Sequence, residues 1–405
     1  MSASLSSLAL VTAITAIALS LLLFVVKLYN WQKARIQGAR RAHYIAAVGE
    51  ILARGIAPGF DRGWAEDPVF HDVLLQYVDV VAGEERAHLE RLISSIDLRN
   101  RLVTQLRESR RESSRLAAAS QLAVIATPEI EWALIEALRS PSPEIKIQSA
   151  IGLAGIGSER AIAPLVHMLL TEKPWVSARI ADQLIGYGPL AVDLLMENIR
   201  DEHGGRLLDP ATVGAVVRVL GFIGDLRAAP AIEPLLDHPE LEVRVAAAGA
   251  LARAGTPDSV PRLVEALGDT RWEVRARAAS ALATFSDPST TVPLSARLRD
   301  SSWWVRQNSA EALIEIPGGM DVLIDALEGD DAYARDAALQ QLGLNGMIRA
   351  ATDRGERGEA SAQDRRLVAA VALPGPIPLS ERGAAPAPSA EARGVETLVS
   401  GATTS

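Results

Sequence analysis

Three similar segments follow one another at a constant spacing and decide the fold: LEVRVAAAGAL at 241–251, WEVRARAASAL at 272–282 and WWVRQNSAEAL at 303–313. The leucine that ends each segment recurs on both sides of the three. With these leucines as markers, the series is Leu122, Leu153, Leu184, Leu220, Leu251, Leu282, Leu313 and Leu342, with steps of 31, 31, 36, 31, 31, 31 and 29 residues. A period near 31 indicates a solenoid of stacked repeats.

Each repeat predicts two helices with a polar turn between them, because its apolar residues recur at spacings of three and four. In one repeat, Leu263 and Leu267 lie on the first helix, and Val274 and Leu282 on the second. The sequence Gly-Asp-Thr at 268–270 breaks the chain between the two helices. Neither helix can bury its apolar stripe without the next repeat. The predicted fold is therefore an all-α solenoid of about eight helical pairs over 115–345.

A basic residue stands seven positions before the marker in six of the eight repeats. These residues are Arg115, Lys146, Arg244, Arg275, Arg306 and Arg335, whereas Ser177 and Val213 occupy the position in the third and fourth repeats. With its valine-arginine pair, its alanine-rich second helix and a turn acid before that helix, the chain resembles HEAT repeats, specifically the short type related to phycobilisome lyase subunits.

The resemblance implies that turn acids and bases form a ladder along the stack. It would place Asp269 near Arg275 and Asp300 near Arg306, and the ladder should lapse in the third and fourth repeats. Its functional implication is broad, since such arrays serve unrelated binding tasks. A bilin lyase-like enzyme is the alternative function that rests on this resemblance alone.

Residues 5–26 are 22 positions with no charge, proline or glycine, long enough as a helix to cross a hydrocarbon core of about 30 Å. Five bases and no acid occur in 27–41. By the positive-inside rule we expect a single-pass inner (cytoplasmic) membrane protein, with residues 1–4 outside and the repeats in the cytoplasm. The lipid bilayer is then a partner through 5–26. A cleaved signal peptide is the alternative.

The remaining segments flank or interrupt the array. Residues 27–114 are predicted to be a juxtamembrane basic segment followed by a helical cap. The single step of 36 places an insertion at 198–210. We expect 346–405 to be a mostly disordered tail, because proline, alanine and glycine dominate its end, with one helix at 361–373 compatible with the pattern.

The sequence contains no recognisable catalytic or metal-binding constellation. There is no cysteine, the six histidines are scattered, and no phosphate-binding glycine loop or nucleophile elbow occurs. The segment GLAGIG at 152–157 is interpreted as a helix end with Gly157 as its cap. We therefore expect no cofactor, no metal and no enzymatic activity.

Charge argues against nucleic acid as a partner. The net charge is −9, and residues 115–345 carry 20 bases against 31 acids, whereas phosphate contacts need clustered bases. Nucleic-acid binding, which some HEAT-like stacks with basic concave faces perform, is the weakest alternative. We therefore predict that the partner is a protein.

Aromatic residues recur at the start of the later second helices. Trp272, Trp303, Trp304 and Tyr333 lie nine or ten positions before their markers. Equivalent positions of stacked repeats lie along one edge, where tryptophan and tyrosine form interface hot spots or, alternatively, pack between repeats. Arg277, Gln307 and Asn308 could add polar contacts on the concave side. The predicted function is a membrane-anchored cytosolic scaffold or adaptor that binds a protein, including a membrane enzyme or transporter that it would regulate.

Overall fold

The computed structural model describes residues 27–28, 31, 35–55, 62–78, 80–200 and 209–373. Every regular element among them is a helix. The predicted anchor at 5–26, most of the predicted insertion and residues 374–405 of the predicted tail lie outside this described part. The chain divides into two compact parts, Met1–Leu165 and Val166–Ser405.

The first part contains seven α-helices and the start of an eighth. They are α1 (35–54), α2 (Pro68–Val78), α3 (Gly83–Ser95), α4 (Leu98–Glu108), α5 (Glu112–Ile125), α6 (Glu131–Ala137), α7 (Pro143–Ile156) and α8 (Glu159–Thr171), with short 3₁₀ helices at Arg62–Glu66 and Pro128–Ile130. Helix α5 packs on α7, as repeated second helices should. Gly157 ends α7 with a φ of 72°, which confirms the cap expected there.

The second part continues the same alternation. Its helices are α9 (Pro174–Tyr187), α10 (Val192–Arg200), α11 (Pro210–Ile223), α12 (Ala229–Ile232), α13 (Leu241–Ala254), α14 (Val260–Ala266), α15 (Trp272–Ala283), α16 (Thr291–Arg297), α17 (Trp303–Glu315), α18 (Gly319–Glu328), α19 (Ala332–Leu344), α20 (Met347–Glu356) and α21 (Ala362–Ala372). Short 3₁₀ helices lie at Gly188–Ala191, Leu226–Ala228, Glu233–Asp237, Pro257–Ser259 and Pro288–Thr290. The solenoid of helical pairs is confirmed.

Second helices of successive repeats pack directly on one another, α9 on α11, α11 on α13, and so on to α19. Their marker leucines and the small residues three and four positions earlier are buried, as Leu251, Ala247 and Ala248 illustrate. Most first helices are shorter than the second helices and begin with a 3₁₀ turn, as at Pro257–Ser259. A proline is tolerated at such a start, because the N–H that it lacks would have no partner there.

Helices also lie beyond both predicted boundaries of the array. Helix α4 is the first helix of the repeat that contains Arg115, so the stack begins before residue 115. Helices α20 and α21 form another pair, with Arg354 Nε donating to Asp364 Oδ2 over 3.0 Å. This pair lacks the valine-arginine signature, which is why the pattern fades after Leu342.

The predicted localisation is wrong. Among the described residues, no helix is long and apolar enough to cross a bilayer, and the longest, α1 with 20 residues, contains Arg40, Arg41, Glu50 and Arg54. Such helices bury one stripe against neighbours and expose the other, whereas a spanning helix needs about 20 mostly apolar residues. The single-pass placement in the inner membrane, with cytoplasmic repeats, is accordingly withdrawn.

Among the glycines of the described second helices, Gly221 of α11 makes the closest approach to a neighbouring backbone. A Cβ there would lie 2.6 Å from the Cα of Ala250 in α13, whereas a Cβ at Gly186 of α9 would meet no atom within 4 Å. Gly221→Ala should lower the free energy of unfolding by about 1–3 kcal/mol, because the helices must separate. Gly186→Ala should instead raise it by up to about 1 kcal/mol through helix propensity. Urea unfolding of both variants checks this, and a shift of the same sign in both would contradict the close approach.

Candidate partner-binding surface

The ladder joins the base of one repeat to the acid of the next. Arg244 Nε donates to Asp269 Oδ2 over 2.8 Å, and Arg275 binds Asp300 with both Nε and Nη2, over 2.8 and 2.7 Å. Within its own repeat, Arg275 Nη1 donates to the backbone carbonyl of Asp269 over 2.9 Å. The structure therefore places Asp269 beside Arg275 through its backbone and on Arg244 through its carboxylate.

Asp300 is the most enclosed acid of this ladder, with a side chain 4% exposed. Burial alone would raise the pKa of its carboxyl group. The hydrogen bonds from Arg275 and from the backbone N–H of Ser302, together with the charges of Arg275 and Arg297, outweigh burial and hold the pKa below its usual value. The ionised carboxylate thus links two repeats and accepts the N–H of Ser302, the residue before α17.

The pairing of arginine with aspartate carboxylates stops at Arg306. Arg306 is buried and donates to the carbonyls of Asp300 and Ser301, while its guanidinium lies 4.6 Å from the ring centre of Tyr333. The acid that would pair with it, Asp331, accepts from the backbone N–H groups of Tyr333 and Ala334 instead.

At three of the other ladder positions, the side chain donates to oxygens that do not belong to carboxylates. Arg335 donates to the carbonyls of Leu327 and Leu373. Arg115 donates to the carbonyl of Leu106 and to Ser140 Oγ. Lys146 is half-buried in α7. Ser177 Oγ donates to the carbonyl of Glu172, and Val213 is buried.

The aromatic row divides into enclosed and open members. Trp272, Trp303 and Trp304 are half-buried, and the last two meet edge to face with ring centres 4.8 Å apart. Tyr333 is 46% exposed, and Trp175, in the same register as Trp304, is 50% exposed. The tryptophan pair is thus packed rather than freely presented.

Two of the predicted polar contact residues already form hydrogen bonds within the chain. Gln307 is buried, donates to Gln340 Oε1 over 2.9 Å and accepts from Gln341 Nε2 over 2.9 Å. Asn308 Nδ2 donates to the carbonyl of Ala276 over 3.0 Å. Both side chains tie one second helix to its neighbour.

Arg277 differs from them. It has no hydrogen bond or carboxylate partner in the described part of the chain, and its stem lies over Gly249 of α13, where a Cβ would be 3.3 Å from Arg277 Cδ. Burial lowers the pKa of its guanidinium, and the like charge of Arg253 lowers it further. Arg277 is therefore a cation held beside another cation.

HEAT repeats match residues 100–186, 134–212, 206–272 and 260–343, which together make up more than half of the sequence. The chain belongs to the HEAT-repeat proteins. No curated protein matches it significantly.

Solved structures similar to this HEAT array include an engineered protein, at 21% identity over 78% of this chain and 98% of that chain, with a TM-score of 0.37. The complex of CpcE and CpcF of phycocyanin lyase from Nostoc sp. PCC7120 matches at 21% identity over 59% and 94%, with a TM-score of 0.31. A Kap121p mutant matches at 12% identity over 82% and 40%, with a TM-score of 0.51. At these identities the similarity concerns the fold alone.

The outward stripe of the HEAT second helices contains residues that the sequence analysis missed. Helical spacing puts positions nine, five and two before each marker and two after it on this stripe. Besides Arg277, Asn308 and Tyr333 it includes Arg218, Phe222, Arg253, Ser280, Glu311 and Glu315, and we call this set the second-helix face. The 31-residue register could have located them, because they repeat with the markers.

The first-helix side of the same part is different, since its arginines bridge neighbouring repeats. Arg227 of one 3₁₀ helix binds Asp193 of α10 over 3.1 Å, and Arg262 binds Asp237. Arg366 of α21, which packs on the first helix α18, binds Asp325 of α18 over 2.5 Å. On the second-helix face, Arg218, Arg253, Glu311 and Glu315 form no ion pair within the described residues. These three arginines are thus neutralised by acids of neighbouring elements, whereas the four charged residues named on the second-helix face are not ion-paired.

Among the described residues no three histidine, aspartate or glutamate side chains are grouped in a way that could hold a metal ion. His88 illustrates the structural use of histidine, with Nδ1 3.0 Å from the carbonyl oxygen of Leu52.

Proposed function

We propose that this protein is a scaffold that binds a partner protein through its second-helix face. HEAT repeats form a helical repeat scaffold, and the finer assignment follows from side-chain chemistry. The observation that supports it is the contrast between the two sides: Arg227, Arg262 and Arg366 on the first-helix side are ion-paired, whereas the second-helix face presents arginines, glutamates and an exposed tyrosine that form no ion pair within the described residues. Arginine and tyrosine are the residue types enriched at protein interfaces.

A non-catalytic role fits the same observation. The face offers charges and rings for contact but no nucleophile paired with a base. The bilin lyase-like alternative keeps the support of the family resemblance only, so we propose binding rather than turnover.

Site-specific photocrosslinking tests the proposal. A photoreactive amino acid at Ser280, exposed in the middle of the second-helix face, should give a discrete protein adduct in the native host. The same residue at Val292 of α16, which is 77% exposed on the first-helix side, is the matched control and should not. Equal adducts from both positions, or none from position 280, would refute binding on this face.

A further inference from the structure

Three neighbouring second helices each contribute one unpaired arginine to the second-helix face. Between Pro210 and Glu315, the arginines that form neither a hydrogen bond nor an ion pair are Arg218 of α11, Arg253 of α13 and Arg277 of α15. Every other arginine in that interval binds a carboxylate or a carbonyl, as Arg275 and Arg306 do. The three arginines without such a partner therefore all lie on the second-helix face.

The three side chains are held in place by apolar contacts and by glycine rather than by charge. The Arg253 guanidinium lies 4.7 Å from the ring centre of Phe222, which is itself 46% exposed. Arg277 runs over Gly249, and Arg218 Nη1 would be 3.2 Å from a Cβ at Gly214. Glycine inside a helix costs about 1 kcal/mol relative to alanine. Here it leaves the space in which the two arginines lie.

Their electrostatic surroundings favour an anion. The charge of Arg253 opposes that of Arg277, so both would gain from a carboxylate between them. One acid, Glu242 of α13, lies close enough to support the charge of Arg218, and Glu273 is paired with Arg271. The cluster thus has cationic capacity that the chain itself does not neutralise.

The class of anion follows from charge and spacing. A polyanion such as nucleic acid would be repelled by a chain of net charge −9, whereas a short peptide bears its charge locally. Packed helices lie about 8–10 Å apart, and a peptide in the extended polyproline II conformation rises about 3.1 Å per residue with three residues per turn, so every third side chain lies on the same side. Acidic side chains about three residues apart would therefore meet successive arginines, and Phe222 adds an apolar contact.

We propose that Arg218, Arg253 and Arg277, with Phe222, bind an extended acidic segment of a partner protein whose carboxylates recur about every third residue. This inference rests on the proposed function and names the chemistry of the partner. Guanidinium groups suit the task because they bind carboxylates through two parallel N–H donors.

A peptide-binding assay with the full chain tests it. The probe is a fluorescein-labelled peptide with glutamate at every third position and one leucine, and its control contains glutamine in place of glutamate. We expect the glutamate peptide to bind more tightly than the glutamine control. The variant R218Q/R253Q/R277Q should bind the glutamate peptide at least 100-fold more weakly, at about tenfold per lost charged contact. Its melting temperature should stay close to that of the original chain, because the three side chains form no ion pair.

The matched control is R139Q/R299Q/R349Q, three exposed arginines elsewhere in the chain. Its charge change is the same as that of R218Q/R253Q/R277Q, so it controls for general charge attraction. Because its three positions lie away from the proposed site, it should leave peptide affinity within about twofold. Equal weakening in both triple variants would show general charge attraction and overturn the site. Tighter binding of a single-stranded oligonucleotide than of the glutamate peptide would overturn the assignment to an acidic protein segment.

Failure of the inference can be separated from failure of the proposed function. If the adduct at position 280 forms in R218Q/R253Q/R277Q as it does in the original chain, and the peptide does not bind, the face binds a protein by other means and the acidic-segment proposal is wrong. If the adduct disappears in this variant but persists in the control triple, the arginine cluster holds the partner.

Discussion

Replacing Asp300 by asparagine is expected to lower the free energy of unfolding by about 3–5 kcal/mol. The substitution removes the charge that Arg275 faces at 2.7 and 2.8 Å, and it leaves that guanidinium in a site where its side chain is only 12% exposed. It also weakens the hydrogen bond that the carboxylate accepts from the N–H of Ser302, the residue before α17, over 2.8 Å. Chemical denaturation monitored by helical circular dichroism measures the loss.

Asp330→Asn is the matched control. Asp330 is exposed in the turn before α19 and has no ion-pair partner in the described residues, so its change should stay within about 0.5 kcal/mol. A double variant, Arg275→Met with Asp300→Leu, should lose less than Asp300→Asn alone, because no unpaired charge stays buried. Equal losses for Asp300→Asn and Asp330→Asn would mean that the ladder does not join the repeats.

The same pair predicts a pH dependence of stability. The folded pKa of Asp300 lies below that of an unfolded aspartate, about 3.9, so its contribution is complete above that pH and is lost as pH falls through the folded pKa. The difference in unfolding free energy between the original chain and Asp300→Asn should therefore shrink as the pH drops below about 4. A constant difference down to pH 2 would contradict the assigned protonation state.

Sequence periodicity was sufficient to predict the helical pairs, because each repeat needs its neighbour to bury an apolar stripe. It could not assign the ladder partners. Asp269 lies six residues before Arg275 and 25 residues after Arg244, and both separations recur with the repeat. Only the packing of α13 against the following turn decides that the carboxylate binds Arg244 while the backbone carbonyl binds Arg275.

The candidate site was predictable only in part for a related reason. Their residue types predict Gln307 and Asn308 as polar contact groups. Both side chains, however, hydrogen-bond to neighbouring second helices, Gln307 to Gln341 and Asn308 to the carbonyl of Ala276. Arg277 is available because Gly249 opposite it has no side chain and no acid stands nearby. Availability depends on the partners across the repeat interface, which a single repeat does not reveal.

The second large effect on stability is expected at Trp303 and Trp304. Replacing Trp303 and Trp304 together by alanine should lower the free energy of unfolding by about 3–5 kcal/mol, since two half-buried rings together lose roughly what one buried tryptophan does, along with their edge-to-face contact at 4.8 Å. Trp175→Ala is the matched control in the same register. With half of its surface exposed, this side chain should cost about 1 kcal/mol or less.

Thermal unfolding and photocrosslinking from position 280 on the same double variant separate the two roles of this row. Packing between repeats predicts a clear fall in melting temperature. At a temperature where the variant is still folded, the adduct should persist, because the arginine cluster lies on α11, α13 and α15 rather than on α17. An unchanged melting temperature with loss of the adduct would instead make Trp303 and Trp304 the interface anchors. It would also extend the binding surface from the arginine cluster towards the exposed ring of Tyr333.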